Sequence, residues 1–219
     1  MLDGQIIEIV ALSLRVSVFA VILAALIGVP LGALLAVGRF PGRNLATMTI
    51  NALMGLPPVV VGLGLYLLLS RSGPLGILQL LYTPTAMIIA QMILVTPIIA
   101  SFSQQVLSDL HAEYDETLRA MKATRLQVMG TLIRDARHAL VTAFLAGLGR
   151  ALSEIGAVMI VGGNINHATR VMTTAIALET SKGNLRLAVS LGLILLGLAF
   201  VINIALVVLR TRLERQAHA

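Results

Sequence analysis

Two groups of residues in this chain could do chemistry, and neither has the pattern of an enzyme active site. Residues 109–137 hold 10 of the 26 charged side chains, which are 16 Lys and Arg and 10 Asp and Glu. Arg150 and Glu154 stand in an otherwise apolar stretch. The sequence has no G-x-S-x-G, HExxH or P-loop motif, no cysteine, and only four dispersed histidines. We therefore expect protein docking and ion pairing rather than catalysis, and no metal site.

The charged segment 109–137 has the pattern of a docking surface. Its apolar residues recur at spacings of three and four, with a break near residues 122–124, which predicts two short amphipathic helices. An apolar side could enter a groove of a soluble partner, with the charges fixing the orientation. The alternative is a helix lying on the lipid surface, but its polar face would be mostly basic, and here acids are interspersed. The apolar residues are Leu118, Met121, Leu126, Met129, Leu132 and Ile133.

The rest of the chain consists of membrane spans. Of its 219 residues, 58% are hydrophobic and 12% charged, which indicates an all-α, integral membrane helical bundle forming a single domain over residues 1–219. We expect a kink or a close helix contact near Pro30, with Gly28 and Gly32, and bent second and third spans. Five spans are predicted at about residues 6–37, 45–69, 83–107, 139–161 and 187–209, with the cytoplasmic loop at about 109–137.

Basic residues give the predicted orientation. With the N-terminus outside, the inner segments carry ten Lys and Arg and the outer segments four, which matches the positive-inside bias. Residues 109–137 and the C-terminus are then cytoplasmic. The net charge of +6 needs no nucleic acid as partner, because the cations cluster at the ends of spans. The outer cations are Arg71, Arg170, Lys182 and Arg186.

Residues 116–124, ETLRAMKAT, resemble the cytoplasmic EAA loop of ABC importer permeases. Glu116, Met121 and Ala123 match the pattern, whereas Lys122 stands where the family has a Gly that would permit a positive φ at the turn. The resemblance implies that this loop couples the membrane domain to ATPase subunits. The residues it implies in coupling are Glu116, Leu118, Met121, Lys122, Ala123 and Arg125.

Residues 150–157, RALSEIGA, resemble the R-A-L-x-E-x-G-A signature of molybdate and tungstate permeases. The runs VMIVGGNI (158–165) and TRVMTTAIALETSKG (169–183) are most similar to the tungstate branch, and PPVVVG (57–62) is similar to the second-span motif. The resemblance implies a type I ABC importer permease that imports an oxyanion, with tungstate favoured and molybdate or a sulfate-type oxyanion as the alternative.

The same resemblance implies an assembly in a bacterial or archaeal cytoplasmic (inner) membrane. The permease would be a homodimer, contacted by two cytoplasmic ABC ATPase subunits and by an extracytoplasmic oxyanion-binding protein, and surrounded by membrane lipid. This chain would bind no cofactor, because ATP-Mg would be bound and hydrolysed on the partner ATPase subunits.

Charged residues inside a membrane are costly, so Arg150 and Glu154 are expected to face the subunit interface or the translocation path. An architectural or gating role is favoured, because Glu154 would repel a dianion. The alternative is a purely structural pair four residues apart on one helix face. The residues expected in the path or gate are Arg150, Glu154, Asn164, Thr169, Arg170 and Thr173, although polar residues beside a span are often ordinary loop.

Two other classes of protein remain as more distant alternatives. An ion-driven secondary transporter should place several ionisable groups in its spans, whereas this chain has Arg150, Glu154 and a borderline Arg15. A membrane enzyme would need a convergent acid, base or nucleophile, and the sequence contains no such motif.

Overall fold

The protein is an all-α bundle, which confirms the predicted fold class. The computed structural model describes residues 2–217, with the side chains of residues 4–205, 207 and 208. These residues contain no β-strand. They form α1 (Leu2–Val37), α2 (Arg43–Leu53), α3 (Pro58–Leu69), α4 (Pro84–Ala120), α5 (Arg125–Asp135), α6 (Arg137–Leu152), α7 (Gly156–Gly162), α8 (Met172–Ser181) and α9 (Leu185–Ala217).

Three of these helices are each long and apolar enough to cross a bilayer, namely α1, α4 and α9. The pairs α2–α3 and α6–α7 are sharply bent, and they raise the number of crossings to five if each pair is one span. The predicted spans 6–37 and 187–209 lie within α1 and α9, respectively.

Helix α1 packs along α4 through two glycines. A Cβ at Gly28 would lie 3.1 Å from the backbone nitrogen of Ala100, and one at Gly32 would lie 2.7 Å from the Ala100 carbonyl oxygen. The four-residue spacing puts both glycines on one face and lets the two backbones approach closely. Of the two outcomes predicted around Pro30, the close contact is present, and α1 remains one helix through Pro30.

The second predicted span, 45–69, is broken rather than gently bent. Helices α2 and α3 meet at 97° across residues 54–57. Two consecutive prolines, Pro57 and Pro58, remove two backbone N–H donors and disfavour the helical conformation of the residue before each, so the helix breaks here and Pro58 begins α3 at a position that tolerates proline. A bend this sharp indicates a broken span or a re-entrant loop.

One long helix joins the third predicted span to the charged segment 109–137. Helix α4 does not end near residue 107 but continues unbroken through Pro97 to Ala120. The first short helix expected in residues 109–137 is therefore the last part of α4. Only α5 is a separate short helix, and α6 begins after Ala136.

The fourth predicted span, 139–161, is also broken. Helices α6 and α7 meet at 60°, with residues 153–155 between them. In one continuous helix, Arg150 and Glu154 would share a face. Here Glu154 instead lies in the break, after the end of α6. The sequence offered no proline at this break, so its position was missed.

Buried clusters pack the helices together at both ends of the bundle. At the predicted cytoplasmic end, Leu118, Val128 and Leu132 pack against the end of α1. At the other end, α8 is fixed to α1, because the Met172 N–H donates to the Ser13 hydroxyl over 2.7 Å. Helix α8 lies between the fourth and fifth predicted spans.

Candidate functional site

The turn between α4 and α5 is built by Lys122 in a left-handed conformation, with φ of 52°. The Ala123 N–H donates to the Leu118 carbonyl, and the Lys122 N–H donates to the Arg119 carbonyl. These are the two hydrogen bonds of a Schellman motif. The turn that a Gly would favour is therefore present with a Lys in its place, at the steric cost of a Cβ at positive φ.

Helix α5 begins with a capping box. Gln127 Oε1 accepts from the Thr124 N–H over 2.8 Å, and Thr124 Oγ1 accepts from the Gln127 N–H over 3.4 Å. These reciprocal bonds satisfy backbone donors that have no partner inside the helix. The sequence Thr124 to Gln127 carries this signal, and the cap fixes where α5 starts.

The apolar residues predicted to dock divide into two sets. Leu118 is only 9% exposed and Leu132 is fully buried, and both pack inside their own chain. Met121 and Leu126 are 73% and 80% exposed. Leu118 thus holds the turn in place, and the apolar area available to a partner comes from Met121 and Leu126.

Exposed charges surround these two side chains. Asp115 is already paired with Arg119, whose Nη2 lies 2.7 Å from the carboxylate. Glu116, Lys122 and Arg125 are exposed and make no salt bridge with any residue the structure describes. We call Glu116, Met121, Lys122, Arg125 and Leu126 the coupling surface; Ala123, at the turn, is half-buried.

The break between α6 and α7 is organised around Glu154. Its carboxylate is 3% exposed, and Oε2 lies 2.7 Å from Nη1 of Arg150, whose side chain is 35% exposed. The other oxygen, Oε1, accepts from the Ala157 N–H over 3.2 Å. Both carboxylate oxygens therefore have partners: one forms an ion pair with the arginine, and the other accepts a hydrogen bond from the first turn of α7.

Two further polar residues tie this break to its neighbours. The Thr173 hydroxyl on α8 donates to the Glu154 carbonyl over 2.8 Å. Gln91 on α4, which the sequence analysis missed, donates from Nε2 to the Ala151 carbonyl over 2.9 Å. A buried Gln in the middle of a span was the available signal, since such a group needs a partner.

Asn164 and Thr169, which follow α7, hydrogen-bond within the protein. Thr169 is fully buried; its hydroxyl donates to the Gly162 carbonyl and accepts from the Ile165 N–H. Asn164 Nδ2 donates to the Thr174 carbonyl. In this conformation these hydrogen bonds fix the segment after α7, and the single hydroxyl hydrogen of Thr169 is already used.

Arg170 and the end of α8 form a second charged group outside the predicted spans. Arg170 donates to Asn166 Oδ1 over 3.2 Å. Glu179 accepts from Asn184 Nδ2 over 2.9 Å and lies 3.2 Å from Lys182 Nζ. The hydrogen bond from Asn184 lowers the pKa of Glu179, burial opposes this, and Lys182 lowers the pKa further. These contacts hold the turn between α8 and α9 against the last part of α8.

The predicted residues thus lie in two separate places, the coupling surface and the α6–α7 break with the segment after it. Within the described part of the chain, no three His, Cys, Asp or Glu residues come together as a metal site. The arrangement suits mechanical coupling and gating, and it lacks a convergent acid, base and nucleophile.

Comparison with known proteins shows which family the chain resembles. The profile of the binding-protein-dependent transport system inner membrane component matches residues 28–216. The tungstate uptake system permease protein TupB of Peptoclostridium acidaminophilum is 42% identical, covering 92% of this chain and 88% of that protein. A probable anion ABC transporter permease protein of Haloferax volcanii is 42% identical, covering 90% and 88%.

A more distant relative and a solved structure extend the comparison. The sulfate transport system permease protein CysT of Salmonella typhimurium is 28% identical, covering 81% of this chain and 67% of that protein. An inward-facing structure of the MetNI methionine ABC transporter contains a chain with a TM-score of 0.76 and 20% identity, covering 95% of this chain and 96% of that one. This likeness shows the fold.

Proposed function

Because the chain belongs to the family of binding-protein-dependent transport system inner membrane components, it is an ABC importer permease, and we propose that its cargo is tungstate. The observation that carries the proposal is the 42% identity to a tungstate permease over nearly the full length of both chains. Molybdate and sulfate remain the alternatives, and the sulfate permeases are more distant, at 28% identity.

The assembly we propose is a homodimer in the cytoplasmic membrane, with two cytoplasmic subunits that hydrolyse ATP-Mg. An extracytoplasmic binding protein delivers the oxyanion. The N-terminus lies outside and the C-terminus in the cytoplasm, as supported by the ten-to-four distribution of Lys and Arg.

Coupling follows from the length of α4. One unbroken helix of 37 residues leads from the outer end of the third span to the coupling surface. A partner that binds Met121 and Leu126 in a groove would move the end of this helix, and a rigid helix transmits that movement into the membrane. Glu116, Lys122 and Arg125 supply the charges that orient the partner.

The gate we propose is the break between α6 and α7. Glu154 joins Arg150 at the end of α6 to Ala157 at the start of α7, so the relative position of the two helices depends on one carboxylate. Glu154 and Arg150 act as positioning residues. In this proposal Asn164, Thr169 and Thr173 support the gate and Arg170 contributes positive charge near its outer end.

The cargo is tested by measuring the uptake of oxyanions by cells. Deletion of the gene should abolish tungstate accumulation at nanomolar supply, measured by elemental analysis, with molybdate affected less. Complementation with the intact chain is the control. If tungstate accumulation is unchanged while molybdate or sulfate uptake collapses, the cargo is wrong and the permease assignment stands.

The coupling surface is tested by Glu116→Lys, with Glu113→Lys as the matched control. Both residues are exposed acids near the end of α4, but only Glu116 belongs to the coupling surface. Glu116→Lys should weaken binding of the ATPase subunits and stop uptake in proteoliposomes, while membrane insertion is unchanged. Equal uptake by the two variants would remove Glu116 from the contact.

A further inference from the structure

A cavity of about 880 Å³ lies at the end of α3 opposite to α2, bounded by the short 3₁₀ turn Gly76–Leu78 and the chain that leads to α4. In the proposed topology it opens on the outer side of the membrane. Its lining is rich in groups that can donate hydrogen bonds, and no acidic residue lines it within the described part of the chain. The residues that carry these groups are Tyr66, Ser70, Arg71, Ser72, Gln79 and Tyr82; the Ser70 hydroxyl also donates to the Leu67 carbonyl over 3.3 Å.

The cavity wall is a fixed structure. The Leu75 N–H donates to the Leu68 carbonyl over 2.9 Å, which folds the loop back onto the last turn of α3. A Cβ at Gly73 would collide with the Leu67 carbonyl oxygen, so this close return requires glycine. Gln79 and Tyr82 have positive φ of 49° and 62°. Strained non-glycine residues of this kind cluster at ligand sites.

The charge in the cavity is positive and unopposed. Arg71 makes no salt bridge with any residue that the structure describes. The sequence has no Asp or Glu between Glu8 and Asp109, so neither α3 nor the loop can supply a carboxylate. A single arginine among hydroxyl and amide donors, with no carboxylate, suits a small oxyanion and disfavours a cation.

Tyr82 connects the cavity to the proposed gate. Its backbone N–H donates to the Val161 carbonyl on α7 over 2.8 Å. Its ring covers Gly163, where a Cβ would lie 2.8 Å from Tyr82 Cδ1. The cavity wall and the far end of α7 are therefore in direct contact.

We propose that this cavity is an entry site for a tetrahedral dianion, occupied after release from the binding protein and before passage along α7. The inference rests on the proposed function for its cargo and orientation. Binding must be weak, because a site on a transport path has to release what it binds, so we expect a Kd of about 1–10 mM. An adjoining segment of the binding protein is the competing occupant.

The three tyrosines of the chain provide a direct test. Tyr66 and Tyr82 line the cavity, whereas Tyr114 lies near the cytoplasmic end of α4 and serves as an internal control. The permease is labelled with 3-fluorotyrosine, placed in lipid nanodiscs, and followed by ¹⁹F NMR during titration with sodium tungstate in mildly alkaline buffer. Sodium chloride of equal ionic strength is the salt control, and Tyr→Phe variants assign the signals.

Saturable shifts of the Tyr66 and Tyr82 signals, with Tyr114 unmoved, are expected for tungstate and not for chloride. Arg71→Gln should weaken the apparent affinity about tenfold, the loss of one charge-assisted hydrogen bond. The matched variant Arg186→Gln removes an exposed outer cation that does not line the cavity, and it should leave the titration unchanged.

The entry site is rejected if tungstate shifts none of the tyrosine signals or shifts all three alike. It is also rejected if the two variants weaken the apparent affinity for tungstate equally. It is also rejected if only the ligand-free binding protein shifts Tyr66 and Tyr82, which would identify a docking surface for that protein. Uptake by the unlabelled transporter in proteoliposomes is measured in parallel. Tungstate uptake without cavity shifts would reject this site alone, whereas absent tungstate uptake would reject the proposed cargo.

Discussion

Glu154→Ala is the substitution that most directly tests how the break between α6 and α7 is held. It removes the partner of Arg150 and, at the same time, the acceptor for the Ala157 N–H. Glu154→Gln has nearly the same shape and keeps an oxygen for Ala157, but it loses the charge. The two variants therefore separate the ion pair from the helix cap.

The expected loss of stability follows from the burial of the two partners. Removing one partner of a fully buried ion pair costs about 3–5 kcal/mol. The Arg150 side chain is 35% exposed, so water can solvate it after the change, and we expect about 1–2 kcal/mol instead. Loss of the cap adds about 1 kcal/mol. Glu154→Ala should thus cost about 2–3 kcal/mol, and Glu154→Gln about 1–2 kcal/mol.

Thermal unfolding of the purified permease in detergent measures these differences. For a chain of this length the Ala variant should lower Tm by about 4–12 °C, and the Gln variant by less. Tungstate uptake in proteoliposomes should fall in the same order, because α7 loses its fixed position. A double variant, Arg150→Met with Glu154→Gln, removes the unpaired charge and should recover part of the stability lost in Glu154→Gln alone.

The reasoning is refuted if Glu154→Ala and Glu154→Gln have the same Tm, since the cap would then contribute nothing. It is also refuted if the double variant loses more stability than Arg150→Met and Glu154→Gln lose together when measured singly. The arginine would then have a partner other than Glu154. Normal uptake by a stable, correctly inserted Glu154→Ala variant would show that the break between α6 and α7 is not the gate.

Two further predictions concern topology and the coupling turn. Single cysteines at Gly42 and Leu126 should react with an impermeant thiol reagent only from the cytoplasm, and one at Asn166 only from outside; labelling of all three from one side would overturn the orientation. Lys122→Gly should keep transport and change stability by no more than about 1 kcal/mol, because relief of positive-φ strain offsets the added backbone freedom. Severe loss of uptake with intact folding would show that the Lys122 ammonium contacts the ATPase.

The helical membrane fold, the location of the charged segment and the family could be predicted because they depend on local properties of the sequence. Bilayer-length apolar runs and charges between them are visible without contacts. The positive φ of Lys122 shows the limit of such reasoning. The sequence identified the position of the turn, but only the Schellman hydrogen bonds show that the chain accepts a lysine there.

The structure alone decided which polar and apolar side chains remain available to another molecule. Leu118 and Met121 are three residues apart and equally apolar, yet one packs under the turn and the other is exposed. Thr169 is among the residues predicted for the path or gate, and only the structure shows that its hydroxyl is hydrogen-bonded within the chain.

Long-range contacts explain why the sequence could not settle these points. Gln91 reaches the carbonyl of Ala151 across 60 residues of sequence, and the break that it helps to hold has no proline to mark it. The sequence by itself determined that this is a helical membrane protein and to which family it belongs. The tertiary structure decided the positions of the break, the cavity and the exposed part of the coupling surface, because burial and hydrogen bonding depend on neighbours that only folding brings together.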